Sequence, residues 1–341
     1  MLILGIETSC DDTSAAVLKV PSEVLSNVIS SQDKIHLPYY GIVPELASRE
    51  HIRLILPVIR EALQRSGAAL ENIGGIAVTQ GPGLVGSLLV GISCAKGIAY
   101  ARKIPVIPVN HLEGHVASIF LSHRDVQLPA LVLIVSGGHT SLVKMEEWGR
   151  YSLVGKTRDD AAGEALDKVS KLLKLGYPGG PAIERLSAGR DAGAFAFPRP
   201  KITGGGCDFS FSGLKTQALR YFEALKLEPS WRPEEAPGVV LDLAASFQKG
   251  VVEALFAPAF QVAGELQVRS LLVCGGVSRN RLLKERFTRE AAKKGLGIFF
   301  PAPEYTTDNA AMIAWAGFRQ MSRGLGSPLT LNADANLKIG E

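Results

Sequence analysis

Residues 2–20, with the sequence LILGIETSCDDTSAAVLKV, contain two apolar stretches that are separated by a polar turn. Residues 131–145, LVLIVSGGHTSLVKM, show the same pattern in the second half of the chain. Short apolar runs that are bounded by polar or glycine-rich turns are typical of buried strands. Each stretch therefore predicts a strand, a turn and a returning strand, and the pair predicts two related lobes.

Strand and helix patterns alternate after each of these openings, which indicates α/β layers. In the first half, the predicted elements are helix 44–67, strand 75–79, helix 87–102, strand 105–109 and helix 111–123. In the second half, they are helix 239–264, strand 270–274, helix 280–294, a strand near 298–300 and helix 308–322. We therefore expect an α/β fold with lobes at residues 1–126 and 127–341, the second with a glycine- and proline-rich insertion near 149–232.

Composition excludes several classes of protein. Of the 341 residues, 46% are hydrophobic and 21% charged, which is typical of a globular chain rather than a disordered one. The best apolar run, Ala130–Val135, is far shorter than the about 20 residues of a membrane helix, and the acidic N-terminal stretch does not resemble a signal peptide. Four cysteines without CxxC spacing fit reduced thiols, so we expect a cytoplasmic protein. The net charge of +4 permits an acidic partner such as RNA but does not indicate one.

Two glycine patterns resemble nucleotide-binding motifs but lack a required residue. Gly81–Gly86 matches GxGxxG, yet no acid follows strand 104–109, where the dinucleotide motif needs one. Close packing of a strand on a helix explains these glycines better. Gly155–Thr157 resembles the end of a P-loop, but Arg150 stands where that motif requires glycine.

Three other polar turns, at residues 7–13, 136–140 and 274–280, are candidates for binding a phosphate. Glycines let backbone N–H groups approach anionic oxygens, and the third turn leads into a helix N-terminus, which favours negative charge. Each turn alone is more often an ordinary turn. Together, at strand ends in both lobes, they predict a nucleotide held in a cleft between the lobes.

His111 and His115 are one turn apart on a predicted helix, so both imidazoles share one face and can bind a single metal ion. Such pairs also occur without a metal. The zinc-protease motif HExxH does not fit, because Glu113 lies about 200° around the helix from both histidines. Asp308 is a candidate third ligand, with helix capping as the alternative interpretation.

Other charged segments leave alternatives open. Asp160, Glu164 and Asp167 share one face of a predicted helix, which indicates either a wall of the substrate site or a solvated acidic face. Residues 208–216 alternate like an edge strand that ends in a polar loop. The basic helix 280–294 is only a weak sign of phosphate contact. Since no G-x-S-x-G motif is present and no cysteine has a histidine partner in local sequence, covalent catalysis is poorly supported.

The motifs together resemble the tRNA N6-adenosine threonylcarbamoyltransferase family, earlier described as O-sialoglycoprotein endopeptidases. The matching segments follow the family's order over nearly the whole chain: Gly5–Thr13, Asn110–His115, Val135–Thr140, Asp159–Lys171, Asp208–Thr216, Cys274–Asn280 and Asp308–Met312. Ile134 stands where the archaeal and eukaryotic branch has a metal-binding tyrosine. The chain therefore resembles the bacterial branch, and its fourth metal ligand stays open.

The resemblance implies the two-lobed fold of actin, hexokinase and Hsp70 (the ASKHA fold), with a nucleotide cleft between the lobes. It implies transfer of a threonylcarbamoyl group from threonylcarbamoyl-AMP to N6 of adenosine 37, giving t6A in tRNAs that read ANN codons. It further implies one iron(II) or zinc ion per chain. The implied partners are an inactive paralogue of the same fold and a small P-loop ATPase.

Site residues carried over by this resemblance are metal ligands and substrate contacts. The metal ligands are His111, His115 and Asp308, and the substrate contacts are Ile134, Val135, Ser136, Gly137, Gly138, Asp167, Gly180, Glu184 and Asn280. We expect Asp11 to influence a metal-assisted, direct attack of the N6 amine without a covalent enzyme intermediate. Two alternatives remain: a small-molecule kinase of the same superfamily, and a non-catalytic nucleotide-binding subunit.

Overall fold

Each of the two strand–turn–strand openings begins a five-stranded sheet in the computed structural model, which describes residues 1–39, 41–199, 206–227, 230–324 and 329–340. The strands are β1 (Leu2–Glu7), β2 (Asp12–Lys19), β3 (Glu23–Ser31), β4 (Ile73–Gly81), β5 (Val106–Asn110), β6 (Ala130–Val135), β7 (Thr140–Glu147), β8 (Arg150–Lys156), β9 (Ser270–Cys274) and β10 (Gly297–Phe299). The helices are α1 (Asp33–His36), α2 (Pro44–Ser66), α3 (Val85–Arg102), α4 (His111–Phe120), α5 (Ala162–Leu172), α6 (Gly179–Leu186), α7 (Ser212–Ala224), α8 (Gly238–Glu265), α9 (Arg281–Lys294) and α10 (Ala310–Ser322).

The first sheet has the strand order β3-β2-β1-β4-β5. Strands β1, β2 and β3 are antiparallel neighbours, whereas β4 and β5 run parallel to β1. The strand β1 is apolar and buried on both faces, which is typical of a strand that helices cover on each side. Apolar side chains of α2 and α3 form one core with this sheet, and α10 lies so close to β1 that a Cβ atom at Gly5 would overlap the carbonyl of Ala310.

Two compact units divide the chain, and the first consists of three segments, Met1–Asp125, Glu147–Tyr151 and Pro301–Glu341. The predicted second lobe includes every residue after 126. The segment 301–341 belongs instead to the first unit, because α10 packs on its sheet and on α4. The short segment Glu147–Tyr151 is held there by Trp148, whose ring packs against Trp315 of α10.

The second unit comprises Val126–Glu146 and Ser152–Phe300, and its sheet has the order β10-β9-β6-β7-β8. This order repeats that of the first sheet: three sequential strands, followed by two further strands on the other side of the first. The strands β6 and β9 are fully buried and parallel. Helices α5, α6, α7 and α8 contribute to the core on this sheet, so most of the predicted insertion 149–232 is part of the second unit's structure.

Some elements differ from the predicted ones. The strands β3 and β8 and the helix α6 were not predicted, and α5 begins at Ala162, after the acidic residues Asp159 and Asp160. The prediction of an edge strand over residues 208–216 was wrong beyond a single bridge at Phe209, since α7 begins at Ser212. The alternation arises because Phe209 and Phe211 are both buried, while Asp159 accepts hydrogen bonds from Ser210 and from the Phe211 N–H.

Two expectations from composition concern membranes and disulfides. Across the described segments, no helix combines the length and the apolar character that a bilayer-crossing helix requires. Cys10, Cys94, Cys207 and Cys274 are all free thiols.

Replacing Gly5 by alanine is expected to lower the free energy of unfolding by about 1–3 kcal/mol, because the added methyl group forces α10 away from β1. Urea titration followed by circular dichroism measures this change. Gly97→Ala is the matched control, since Gly97 is exposed on α3 and no described atom lies within 4 Å of an added Cβ. Alanine there should stabilise the helix by up to about 1 kcal/mol. Equal stability of Gly5→Ala and the unchanged chain would contradict this packing of α10 on β1.

Candidate functional site

The helix α4 begins directly at the carboxyl end of β5, and its first residue is His111. Asn110 caps the helix, since its Oδ1 accepts a hydrogen bond of 2.9 Å from the Leu112 N–H. Residues 111–119 are all buried, and Gly114 allows α10 to approach closely: a Cβ atom there would lie 2.7 Å from the Ile313 side chain. The position of both histidines is therefore fixed by one strand end and one packed helix.

His111, His115 and Asp308 converge on one point in the first unit. Each offers a ligand atom within 4.8 Å of the others. The Nε2 atoms of His111 and His115 lie 3.6 and 3.3 Å from Oδ1 of Asp308. The alternative interpretation of Asp308 as a helix cap does not hold, because Asn309 caps α10 by accepting a hydrogen bond from the Met312 N–H.

Glu7, at the end of β1, orients His111, and sequence reasoning missed this contact. Its Oε2 lies 3.0 Å from Nδ1 of His111 and also accepts a hydrogen bond of 2.7 Å from the Thr79 hydroxyl, while Oε1 accepts one from the Ser9 N–H. A carboxylate on Nδ1 fixes the imidazole tautomer and leaves Nε2 free for a metal ion. The sequence carries one signal of this role, a charged residue at the end of an otherwise apolar strand, and the structure shows that Glu7 is 0% exposed.

The chemistry of this cluster fits a divalent metal ion. Both ring nitrogens of His115 are buried and form no hydrogen bond with any described residue, which is costly for an imidazole unless Nε2 binds an ion. Burial opposes the charged form of His111, but Asp308 and Glu7 outweigh it and raise the pKa of His111 to about 9. Two imidazoles and one carboxylate form a ligand set that suits zinc or iron(II).

The turn after β1 places two further acids near Asp308. Burial is the main reason that the pKa of Asp11 is raised to about 6 and that of Asp12 to about 8, and the charge of Asp308 adds to both. His51 of α2 holds this turn: its Nε2 lies 3.0 Å from the Cys10 carbonyl and its Nδ1 2.8 Å from the Thr13 hydroxyl. The acidic turn is thus half-buried, held by His51 and electrostatically coupled to the cluster.

The glycines at 81–86 accommodate chain segments other than the predicted strand–helix contact. A Cβ atom at Gly81 would overlap the carbonyl of Asp334, and one at Gly83 would press against Ser9. The segment 329–340, which we call the C-terminal strap, therefore lies directly on the turn after β4. Glu113 also faces this strap rather than the cluster: burial raises its pKa, and hydrogen bonds from the Gly340 N–H and the Gln320 side chain partly offset that effect.

In the second unit, the predicted polar turns at residues 136–140 and 274–280 both lie at one edge of the sheet. Strands β6 and β9 are parallel, with Ile134 opposite Cys274, so the turns that follow them emerge side by side. Gly275 has a φ of +91°, and a Cβ atom there would lie 2.5 Å from the Val135 carbonyl oxygen. The N-terminus of α5 meets the first turn, since the Gly163 N–H donates a hydrogen bond of 3.1 Å to the Ser136 carbonyl. Gly137 and Gly138 of this turn are exposed.

Three other predicted substrate residues accept hydrogen bonds from N–H groups at the starts of helices at this edge. They are Asp167, Glu184 and Asn280. Asp167 accepts a hydrogen bond of 2.6 Å from the Gly179 N–H at the start of α6, where Gly180 follows. Glu184 of α6 accepts one of 2.7 Å from the Arg281 N–H at the start of α9, and Asn280 caps α9. The nine residues carried over to the second unit thus surround the carboxyl ends of β6 and β9.

A cavity of about 450 Å³ opens beside Glu184 and Arg281. Arg185 and Arg190 line it, as does Gln248, whose buried Oε1 makes no hydrogen bond with any described group. Small-molecule sites usually have volumes of this order and a few polar groups of this kind.

The acidic and basic segments that had two possible interpretations from the sequence form ion pairs in the structure. Lys168 contacts Asp160 and Glu164, each at 2.9 Å, and Lys215 also reaches Asp160. Arg286 of the basic helix α9 pairs with Glu253 at 2.8 Å and lies over the Phe256 ring. These pairs favour the interpretation of the acidic and basic faces as structural.

Comparison with solved structures identifies the fold. The chain is similar to HypF from T. kodakarensis, with a TM-score of 0.61 and 14% sequence identity over 95% of this chain and 48% of that one. It is also similar to component A of the (R)-2-hydroxyglutaryl-CoA dehydratase of Acidaminococcus fermentans, with a TM-score of 0.54 and 15% identity over 94% and 99% of the two chains. These are ASKHA-type proteins, so the predicted α/β, ASKHA-type fold is confirmed.

Sequence comparison gives the family. Residues 23–315 match the family model TsaD, described as tRNA N6-adenosine threonylcarbamoyltransferase. Proteins with this description are 51% identical to the chain in Syntrophobacter fumaroxidans, over 95% of both chains, and 49% identical in Syntrophotalea carbinolica, over 100% of this chain and 98% of the relative. A relative from Clostridium perfringens is 46% identical, again over 100% and 98%. The chain therefore belongs to the tRNA N6-adenosine threonylcarbamoyltransferase family, whose members are transferases that modify tRNA.

Proposed function

We propose that the chain transfers a threonylcarbamoyl group from threonylcarbamoyl-AMP to N6 of adenosine 37 in tRNAs that read ANN codons, which gives t6A. The observation that carries this proposal is the buried cluster of His111, His115 and Asp308, oriented by Glu7, in a member of this family. A small-molecule kinase needs no such histidine pair. A non-catalytic subunit has no reason to keep a complete set of ligands.

His111, His115 and Asp308 are proposed to hold one iron(II) or zinc ion. When bound, the ion supplies Lewis-acid stabilisation of the carbamoyl carbonyl. Ile134 is fully buried in β6 and has no ligand atom in its side chain, so water or the substrate is proposed to fill the remaining coordination position. Glu7 keeps Nδ1 of His111 hydrogen-bonded and Nε2 directed at Asp308.

The transfer is proposed to proceed by direct attack. The N6 amine forms a bond to the carbamoyl carbon, the bond from that carbon to the phosphate oxygen breaks, and AMP leaves with the electron pair. N6 loses a proton, and Asp11 is a candidate acceptor because a pKa of about 6 leaves its carboxyl group mostly ionised at neutral pH. No enzyme nucleophile is needed, since the mixed anhydride carries its own leaving group. Recovery of a threonylcarbamoylated protein after incubation with the adenylate would contradict this route.

The adenylate moiety of the donor is assigned to the edge of the second sheet. The turn after β6, in which Gly137 and Gly138 are exposed, is the proposed phosphate site, because glycines let backbone N–H groups approach anionic oxygens. The cavity beside Glu184 has room for a nucleoside, and guanidinium groups such as Arg281 stack well on planar rings.

The proposed partners follow from the family resemblance. They are the tRNA substrate, an inactive paralogue of the same fold and a small P-loop ATPase, with the cytoplasm as the site of action and no membrane contact. The family description itself supports tRNA as the substrate.

Glu7→Gln is expected to weaken Zn²⁺ binding by about 10- to 100-fold, the usual effect of losing a carboxylate behind a histidine ligand. The amide of Gln cannot accept hydrogen bonds from Ser9, Thr79 and His111 together, so His111 loses its fixed orientation. Competition with a chromogenic chelator measures the affinity. Glu61→Gln, which alters an exposed acid on α2, should leave it unchanged. Unchanged affinity in Glu7→Gln would show that Glu7 does not orient the ligand.

Asp308→Ala is expected to lower the rate of t6A formation by about 100-fold or more, because loss of a direct ligand exceeds the effect of losing a residue behind one. Mass spectrometry of tRNA nucleosides measures t6A after incubation with threonylcarbamoyl-AMP, ATP and the reconstituted partners, with and without chelator. Asp125→Ala, at an exposed site of the same unit, is the control.

The same assay separates the alternatives. No t6A from the unchanged chain, with phosphate transfer from ATP to a small molecule that survives Asp308→Ala, would identify a kinase. Full t6A formation when this chain is omitted would identify a non-catalytic subunit.

A further inference from the structure

We propose that the C-terminal strap, residues 329–340, positions α4 so that His111 and His115 can bind a metal ion together. The inference rests on the proposed function in one respect, namely that these histidines bind a metal. It adds a positioning role for a segment that contributes no ligand. The strap can position α4 because it contacts both α4 and the turn that supports His111.

Asn110 joins the strap to the start of α4. Its Oδ1 accepts a hydrogen bond from the Leu112 N–H, which caps the helix, while its Nδ2 donates one of 2.8 Å to the Lys338 carbonyl. Both ends of this one amide are therefore in use. Because His111 directly follows Asn110, the strap holds the cap residue that determines where the ligand-bearing helix begins.

Glu113 provides a second attachment on the same helix. Its buried carboxylate accepts a hydrogen bond from the Gly340 N–H, and Gly340 in turn packs against Tyr151. Glu113 points away from the two histidines, so the strap and the metal cluster contact different sides of α4. A helix held on both sides has little freedom to rotate its imidazoles away from Asp308.

The strap also supports the opposite side of His111 through the turn after β4. The Asp334 N–H donates a hydrogen bond of 3.0 Å to the Gln80 carbonyl, and the Gly83 N–H donates one of 3.3 Å to the Ala335 carbonyl. Gly83 lies against Ser9, whose hydroxyl is 3.1 Å from Nδ1 of His111. A chain of direct contacts thus runs from the strap to the ring of a ligand.

Such support matters because α4 has ten residues, fewer than an isolated helix needs to be stable in water. Its position must come from tertiary contacts. Metal affinity depends steeply on ligand geometry, and residues that orient ligands typically change affinity by about 10- to 100-fold when they are lost. Loss of the strap contacts should therefore weaken metal binding while the first unit stays folded.

The experiment compares Zn²⁺ affinity in four forms of the full chain: unchanged, lacking residues 338–341, lacking Glu341 only, and Asn110→Ser. Loss of residues 338–341 removes the Lys338 and Gly340 contacts and is expected to weaken Zn²⁺ binding about 10- to 100-fold. Serine at 110 can still cap the helix but has no amide to reach Lys338, so it should weaken binding about tenfold without an added charge. The chain lacking only Glu341 keeps every contact named here and is the control.

A second measurement distinguishes positioning from simple loss of structure. The absorption spectrum of each form saturated with Co²⁺ reports ligand geometry, and circular dichroism reports the fold. Altered spectra in both variants with intact circular dichroism would support the proposal. Unchanged Zn²⁺ affinity and unchanged spectra in Asn110→Ser and the shortened chain would overturn it, with the proposed function intact. Failure of the unchanged chain to bind Zn²⁺ or Co²⁺ would overturn the metal assignment and this inference with it.

Discussion

The contact between Glu7 and His111 is the interaction on which the rest of the first unit depends. A fully buried carboxylate is costly unless several donors satisfy it, and Glu7 receives them from three places: the turn after β1, the strand β4 and the helix α4. Movement of any one of these elements would leave a buried charge without a partner. The Glu7 carboxylate therefore links these elements of the first unit and also orients the His111 ring.

Both units place polar residues at the carboxyl ends of parallel strands in sheets of the same strand order. In the first unit, Glu7 ends β1 and His111 follows β5, and these strands run parallel to β4 between them. In the second, Ser136 follows β6 and Gly275 follows its parallel neighbour β9. Carboxyl ends of parallel strands meet at one edge, where backbone N–H groups and helix N-termini become available. One topology thus supplies the proposed metal ligands in one unit and the proposed anion-binding turns in the other.

Local patterns in the sequence were sufficient for part of the site. The spacing of His111 and His115 on a helix fixes their relative position, because α-helical geometry is the same in any protein. A charged residue at the end of an apolar strand marks Glu7, but its contact with His111 and the contacts of the strap join segments that are more than 100 residues apart, so no local pattern could reveal those partners. Asp308 was a candidate third ligand from its own segment, with helix capping as the alternative, and the structure brings it to the histidines. The unpredicted helix α6 has only eight residues and begins with two glycines, so its propensity was weak.

Electrostatics gives a reason why the cluster combines so many acids with two imidazoles. Asp11 and Asp12 are half-buried, and each is further destabilised as an anion by Asp308. Acids in such surroundings are stabilised by a cation nearby, and a divalent ion on His111, His115 and Asp308 would be the largest local charge. Its field would favour the ionised form of Asp11, the form in which that residue can accept a proton. The proposed ligand set and the acidic turn would then depend on each other, because the residues that hold the ion would also keep Asp11 ionised.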